Sequence, residues 1–304
     1  MSDAGGGAAP QRTWRLGSAW MLVAGVLLAG MGIFAKLGSK QFSSAELVFY
    51  RSLLSALMVL AAVALRHRGR SLSTPHWRLH LARGLSGFTG MMLLFYVIGT
   101  LPLATATTLN YTSPLFLVVL TALFMRQRIR GVLALAALLG FVGVVLLLRP
   151  TFSANQTMAG LLGLASGFFA GVSFLSNRQL GLLGEPAWRV VLYFSLLGTV
   201  GAGLFALATG FHAFGLHGAL ILLGLGTCAV LGQLAMTQAY GEGDALTVGS
   251  LAYSTVVFTV LGSAVIWNER LPLDSWLAMG LVIAGGVLAI RATPAAPATR
   301  QGPD

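Results

Sequence analysis

Five long apolar segments run through the first half of this chain, and five more follow in the same order with matching residues about 141 positions apart. Ala29-Gly30 returns as Ala170-Gly171, Leu93 as Leu234 and Ala104 as Ala245; one residue of slippage later, Gly143 and Arg149 return as Gly285 and Arg291. A match that persists over both halves restricts the fold to something built twice. Because five is odd, a second copy that crosses a bilayer enters it from the opposite face, and the two copies form an inverted repeat.

Composition supplies the bilayer. Of 304 residues, 56% are hydrophobic and only 9% charged, a balance that cannot be arranged around a water-exposed surface. A helix needs roughly 20 mainly apolar residues to cross about 30 Å of hydrocarbon. Ten stretches qualify, at roughly 16–37, 45–65, 79–99, 103–125, 131–148, 158–177, 188–209, 216–239, 245–267 and 273–290. Barrel strands would alternate in short runs, whereas these runs are continuous. The expected fold class is therefore an all-α membrane protein, ten transmembrane helices in two inverted five-helix repeats. Residues 1–15 and 292–304 read as polar or flexible tails, and 16–149 and 158–291 as the two modules. The first apolar run, of about 22 residues, exceeds the roughly 7 to 15 of a signal-peptide core and is expected to stay as a mature helix.

The net charge of +11 marks topology rather than a nucleic-acid partner, which would call for basic residues interleaved with aromatics on a soluble face. With the N-terminus inside, fourteen of the nineteen Lys and Arg residues, among them Arg12, Arg15, Arg66, Arg83, Arg178 and Arg291, fall on the inner side. Lys36, Lys40, Arg51, Arg149 and Arg270 fall outside. That asymmetry places both termini in the cytoplasm of a bacterial inner membrane. The expected partners are the lipid bilayer and a small-molecule metabolite; oligomeric state leaves no mark in the residues. A membrane enzyme would need a cluster of His, Cys, Asp or Glu. None is visible, so no catalytic residue, metal or cofactor is expected. The lone Cys228 permits no internal disulfide and reads as packing.

The second copy contains Leu234-Ala-Met-Thr-Gln-Ala-Tyr240, Asp244-Ala245, an apolar run to Trp267, Asn268-Glu269-Arg270-Leu271-Pro272, Gly280 and Gly285-Gly286-Val287. The first carries Lys36, Arg51, Phe95-Tyr96, Leu103-Ala104, Thr112-Ser113-Pro114 and Gly140 to Val144. Over residues 17 to 291 this resembles the EamA module of the drug/metabolite transporter superfamily, in which two five-helix modules make a ten-helix carrier. The chain departs from the family where its fourth helix often ends in a glutamate: here Arg126-Gln127-Arg128 stands, and Glu269 has no repeat partner. The run Leu101-Pro102-Leu103-Ala104 through Tyr111 to Phe116 is similar to riboflavin carriers, S-adenosylmethionine carriers and exporters of opine-type metal chelators.

Candidate site residues follow from polar groups at membrane depth. In helix four, Thr107, Asn110, Tyr111, Pro114 and Thr121 share one helical face, and Pro114 deprives the Asn110 carbonyl of its usual partner. This reads either as a cavity wall with Asn110 and Tyr111 hydrogen bonding to solute, or as a kink satisfied by nearby hydroxyls. Helix nine offers Ser254 with Tyr253 beside it, helix eight Gln233, Thr237 and Tyr240, and helix three Tyr96. Lys36, Glu46 and Arg51 lie near outer helix ends, where they either gate and attract substrate or snorkel to the interface. A Lys36 to Glu46 contact between helices is expected. Gly163, Gly167 and Gly171, and likewise Gly25, Ala29 and Gly32, form stripes that let helices approach closely. The acids Glu46, Glu185, Glu242, Asp244, Glu269 and Asp274 lie at ends or in loops, which disfavours proton coupling through a midplane acid.

Inverted repeats of membrane helices are a common build for carriers that expose one central site alternately to each side. The expectation is a carrier of a small polar or zwitterionic metabolite, such as an amino acid or an opine-type metallophore, with export implied by the family resemblance. The alternatives are uptake of riboflavin or S-adenosylmethionine and, from another class, a non-transporting receptor or scaffold. Tags on the two tails of the protein in cells should both report from the cytoplasmic face; tags on opposite faces would remove the inverted repeat.

Overall fold

The computed structural model describes residues 9–66, 72–98, 100–101, 103–125, 130–149, 156–268 and 272–292. The Arg68 and Arg70 loop, Arg126-Gln127-Arg128, the Pro150 to Asn155 linker, Glu269, Arg270 and most of both tails lie outside the described residues. The elements are α1 (Ala9–Gly38), α2 (Ser44–Arg66), α3 (Trp77–Ile98), α4 (Leu103–Asn110), α5 (Ser113–Phe124), α6 (Gly131–Leu148), α7 (Thr157–Leu182), α8 (Ala187–Thr209), α9 (Leu216–Glu242), α10 (Ala245–Ala252), α11 (Ser254–Trp267) and α12 (Leu273–Ala292). Nine stretches among the described residues are long and apolar enough to cross a membrane. With α3, 22 residues long, they make two sets of five crossings. Large apolar side chains such as Val26, Leu123, Leu204, Leu220 and Ile283 stand exposed around the outside, a surface suited to lipid and not to water.

Two expected helices are broken. The fourth crossing divides into α4 and α5 at Tyr111-Thr112, so Pro114 sits in the first turn of a new helix, where its missing N–H removes no helical bond. The Thr112 hydroxyl donates to the Leu109 carbonyl at 2.6 Å. The ninth crossing divides into α10 and α11 at Tyr253, which keeps right-handed backbone (φ −61°, ψ −22°). No proline marks that second break. It lies where the duplication maps the first, 141 residues on from Thr112.

The two modules are units of sequence whose helices pack across both copies. α1 packs on α9, α10 and α11 of the other copy, and α7 packs in the exchanged roles on α3, α4 and α5. Two bundles of three crossings result, each drawn from both modules. The remaining major pairs, α2 with α8 and α6 with α12, each join a helix to its own counterpart and so straddle the pseudo-twofold axis. Glycines set the approach, as expected of the α7 stripe. A Cβ at Gly167 would come within 2.8 Å of the Leu109 carbonyl, and one at Gly171 within 3.1 Å of the Ser113 carbonyl. On α1 the stripe is used only in part: Gly25 faces Ser254 and Phe258 of α11, while a Cβ at Gly32 would meet no atom of another helix within 4 Å among the described residues.

The ends of the molecule are held by buried acids. At the far end, opposite the chain termini, Ser43 and Glu46 form a reciprocal cap for α2. The Ser43 N–H donates to Glu46 Oε2 at 2.7 Å, and the Glu46 N–H to Ser43 Oγ at 3.3 Å. His212, from the segment joining α8 and α9, meets the same carboxylate through its N–H at 2.6 Å and Nδ1 at 2.8 Å. Glu46 thus takes partners from both Ser43 and His212. At the tail end, Glu185, one residue ahead of Pro186 and α8, accepts from the Thr74 hydroxyl and from Arg189 Nη1 at 2.8 Å, with His80 Nε2 at 3.6 Å. In each case the acid opening a module's second helix is held by residues between the second and third helices of the other module or at the third helix's start.

Burial pushes the Glu185 carboxyl up, but the hydrogen bonds from Thr74 and Arg189 and the charges of Arg189 and His80 outweigh it, and the net shift is downward. The folded protein then binds fewer protons there than the unfolded chain, so this stabilisation is present above the ordinary glutamate value of roughly 4.3 and drains as pH falls through the lowered one. Glu185→Gln should lose about 1–3 kcal/mol at neutral pH, the cost of breaking a buried charged hydrogen-bond set. Thermal melts across an acid titration should show a drop in the wild type that is smaller in the variant; parallel curves would exclude the role.

Candidate functional site

Between the two bundles lies a cavity of about 170 Å³ whose lining includes Arg51, Arg83, Met91, Asn110, Ser173, Phe174, Phe194, Gln233 and Met236. Its walls come from α2, α3, α4, α7, α8 and α9, so no single module makes it. Asn110, the last residue of α4, is placed at the wall by the break that follows it, and its Nδ2 donates to Ser166 Oγ of α7 at 3.2 Å.

By its place in the chain Arg83 belongs with the tail-side charges. It lies instead about 9 Å along α3 at 1.5 Å per residue, with only 3% of its surface exposed. Nε donates to Asn177 Oδ1 at 2.7 Å, Nη1 to Ser173 Oγ at 2.5 Å and Nη2 to Gln233 Oε1 at 3.2 Å. The guanidinium carbon stands 4.3 Å from the centre of the Phe194 ring. Arg51 reaches the same ring at 5.9 Å, and its Nη1 donates to the Met91 sulfur at 3.4 Å. Its Nε is buried without a hydrogen-bond partner.

The other sequence candidates are spread more widely. Gln233 reaches the cavity; Tyr96 does not line it and is 58% exposed near the end of α3. Tyr111 and Tyr253 pack on each other with ring centres 6.4 Å apart, away from the cavity lining. Tyr253 is fully buried against Gly140, and its hydroxyl and that of Ser254 have no hydrogen-bond partner. Pro114 is buried beside Gly249. Lys36 lies in the last turn of α1 and Glu46 at the far-end cap, both outside the cavity lining. Among the described residues, no His, Cys, Asp and Glu group could hold a metal. Sequence reasoning missed Arg83, Ser173 and Asn177. The available signal was a charge and two polar groups inside apolar runs, with Ser173 and Asn177 spaced i, i+4.

The cavity is closed toward the tail end. Below it, Met21 and Ala24 of α1, Leu117 and Leu120 of α5, Tyr240 of α9 and Leu251 of α10 form one apolar core. Phe174 stacks on Tyr240 with ring centres 5.2 Å apart. Past this plug, α7 touches α9: Gly181 meets Gly241 backbone to backbone, and Arg178 Nη1 donates to the Gly241 carbonyl at 2.8 Å, a cation on a helix C-terminus. The counterpart pair, α1 and α3 at the far end, makes no comparable contact among the described residues. A second hollow of about 260 Å³, lined by Gly184, Glu185, Thr237, Gln238 and Glu242 among others, lies on the tail side of the plug.

Comparison with known proteins fits this architecture. A family model described as the EamA-like transporter family matches residues 15–149 and again 157–291. A pseudopaline exporter of Pseudomonas aeruginosa is 29% identical over 93% of this chain and 99% of its own length. A riboflavin transporter of Vibrio cholerae is 27% identical, covering 88% and 90% of the two chains. An S-adenosylmethionine uptake transporter of Rickettsia bellii is 24% identical, covering 85% and 87%. A solved crystal structure superposes with a TM-score of 0.80 at 19% identity, over 90% of this chain and 96% of the other, which speaks to fold alone.

A side chain at Gly181 would overlap the Cα of Gly241. Gly181→Leu should therefore penalise tail-end closure by about 1–3 kcal/mol, raising the open population roughly five- to hundredfold. A cysteine at Thr237, in a Cys228→Ser background, should label faster with a soluble thiol reagent once Gly181→Leu is added; an unchanged rate would mean that this contact is not the closure.

Proposed function

Since the chain belongs to the EamA-like transporter family, we propose that it carries a small polar or zwitterionic metabolite across the bacterial inner membrane by alternating access, outward in the main. The observation that carries this reading is a cavity between two bundles, lined by Arg51, Arg83, Asn110 and Gln233 among apolar side chains and separated from the tail end by an apolar core. The self-paired helices α2–α8 and α6–α12 sit on the pseudo-twofold axis, where relative tilting of the bundles displaces them least. Parting α7 from α9 would join the cavity to the second hollow. It would also wet the Thr121, Thr237 and Tyr240 hydroxyls, which are buried there without partners. A polar group desolvated and unpaired in one state favours a second state that solvates it.

With both termini cytoplasmic, the cavity opens to the outside. Modules over 16–149 and 158–291 would then be the duplicated units, each giving part of both bundles. Asn110, Gln233 and Arg51 touch the solute in this reading, Tyr111, Tyr253 and Ser254 support the helix breaks beside it, and Lys36 with Glu46 shapes the approach at the far end. The pseudopaline exporter among the relatives supports an amino-acid-derived solute and outward movement. A relative named for S-adenosylmethionine uptake supports inward movement as the second reading, with riboflavin, carried by another relative, as a further solute for it.

Proteoliposomes holding the purified chain should move a carboxylated amino-acid derivative faster than empty vesicles. Asn110→Ala and Gln233→Ala should each slow that flux about tenfold, the worth of one polar contact near 1.4 kcal/mol, in variants that remain folded. Unchanged flux in both variants would take these residues off the path, and riboflavin or S-adenosylmethionine flux in place of the derivative would favour uptake.

A further inference from the structure

The cavity holds two positive charges and no negative one. Arg51 and Arg83 bring their guanidinium carbons within 5.9 Å and 4.3 Å of one ring centre, that of Phe194. Each ion pair formed among the described residues uses Glu46, Glu185 or Asp274, and none includes Arg51 or Arg83. Glu46, on the same helix as Arg51, has its carboxylate occupied by Ser43 and His212. Like charges brought together away from water repel, and a buried cation without a counter-ion is held at a cost. Such a pair persists where an anion from outside completes it.

The donor inventory points the same way. A guanidinium has five N–H groups; Arg83 spends three on Asn177, Ser173 and Gln233, all neutral acceptors, which orient it without cancelling its charge. Arg51 gives one to the soft sulfur of Met91 and keeps its buried Nε–H unpaired at the cavity wall. The site is also not a product of the duplication. The residues 141 positions on from Arg51 and Arg83 are Leu192 and Gly224, so the charges belong to one copy only. Packing requirements shared by both copies therefore do not account for them.

From this convergence we infer that the site binds an anionic solute carrying at least two carboxylates, one seated on Arg51 and the other on the free N–H groups of Arg83. Planar bidentate pairing with carboxylate is the chemistry guanidinium does best. Asn110 and Gln233 then read the polar body between the two acids. The inference rests on the carrier reading above and narrows its solute from zwitterionic to net anionic.

Binding and flux test the two separately. Iminodiacetate, two carboxylates on a secondary amine, is titrated calorimetrically into the full chain in neutral-lipid nanodiscs, beside its diamide. The wild type should bind the diacid at least tenfold more tightly than the diamide, Arg51→Gln should remove most of that preference, and Arg51→Lys should restore part of it. Arg83→Gln should act likewise, and if it fails to fold the Arg51 series decides alone. Equal affinity for diacid and diamide, no binding of the diacid at millimolar concentration, or a preference untouched by Arg51→Gln would each overturn the inference. Diacid binding without flux in proteoliposomes would spare the anion site and count against carriage. Flux of a neutral or cationic solute indifferent to Arg51→Gln would spare carriage and count against the anion site.

Discussion

Lipid gives membrane helices no hydrophobic reason to associate, so what holds this chain together is close approach of backbones through glycine. The duplicated pair Gly143 and Gly285 shows how far this goes. A Cβ at Gly143 would come within 2.9 Å of the Ala278 carbonyl of α12, and one at Gly285 within 2.8 Å of the Ala136 carbonyl of α6. Residues related by the duplication thus pack across the axis that relates them. The same device joins α7 to the broken fourth crossing and lets α7 touch α9 at Gly181 and Gly241. A contact made of bare backbone has little side-chain volume to rearrange, which suits a surface that must part and re-form.

On this symmetrical frame the chemistry is unsymmetrical. Asn177, Ser173 and Gln233 converge on Arg83 from two bundles, whereas 141 residues from Arg83 the chain has Gly224, a seat for the Phe34 ring. In the carrier reading proposed above, duplication supplies the path and the two-sidedness, and recognition comes from where the copies have diverged. The twin acids lie between these extremes. Glu46 and Glu185 both tie one module's second helix to the other module, one at each end, yet with different partners in each set.

The asymmetry of closure follows from the same logic. Two bundles related by a pseudo-twofold can meet at either end, and in this structure they meet at the tail end, where Tyr240, Leu117 and their neighbours fill the gap. Packing that leaves Tyr240 and Thr237 hydroxyls unpaired in an apolar core stores a bias toward the other arrangement. The structure thus holds its cavity on one side of a plug whose polar groups have reason to separate.

The chain by itself determined its crossings, its duplication and its family, because each is written in local composition and spacing: twenty apolar residues announce a helix in lipid wherever they lie, and Gly143 with Gly285 or Leu93 with Leu234 can be matched without a fold. The α7 glycine stripe and Asn110 beside a proline were legible for the same reason. Tertiary structure alone decided what the charges do. Arg51 and Arg83 lie 32 residues apart near opposite helix ends, and each reads singly as a boundary charge; only the packing of α2 and α3 around Phe194 of α8 brings both to one cavity, with Arg83 buried and Arg51 half-buried. The break at Tyr253, with no proline to mark it, and the exchange of helices between modules were hidden likewise, since both depend on which surfaces meet and not on what any segment contains.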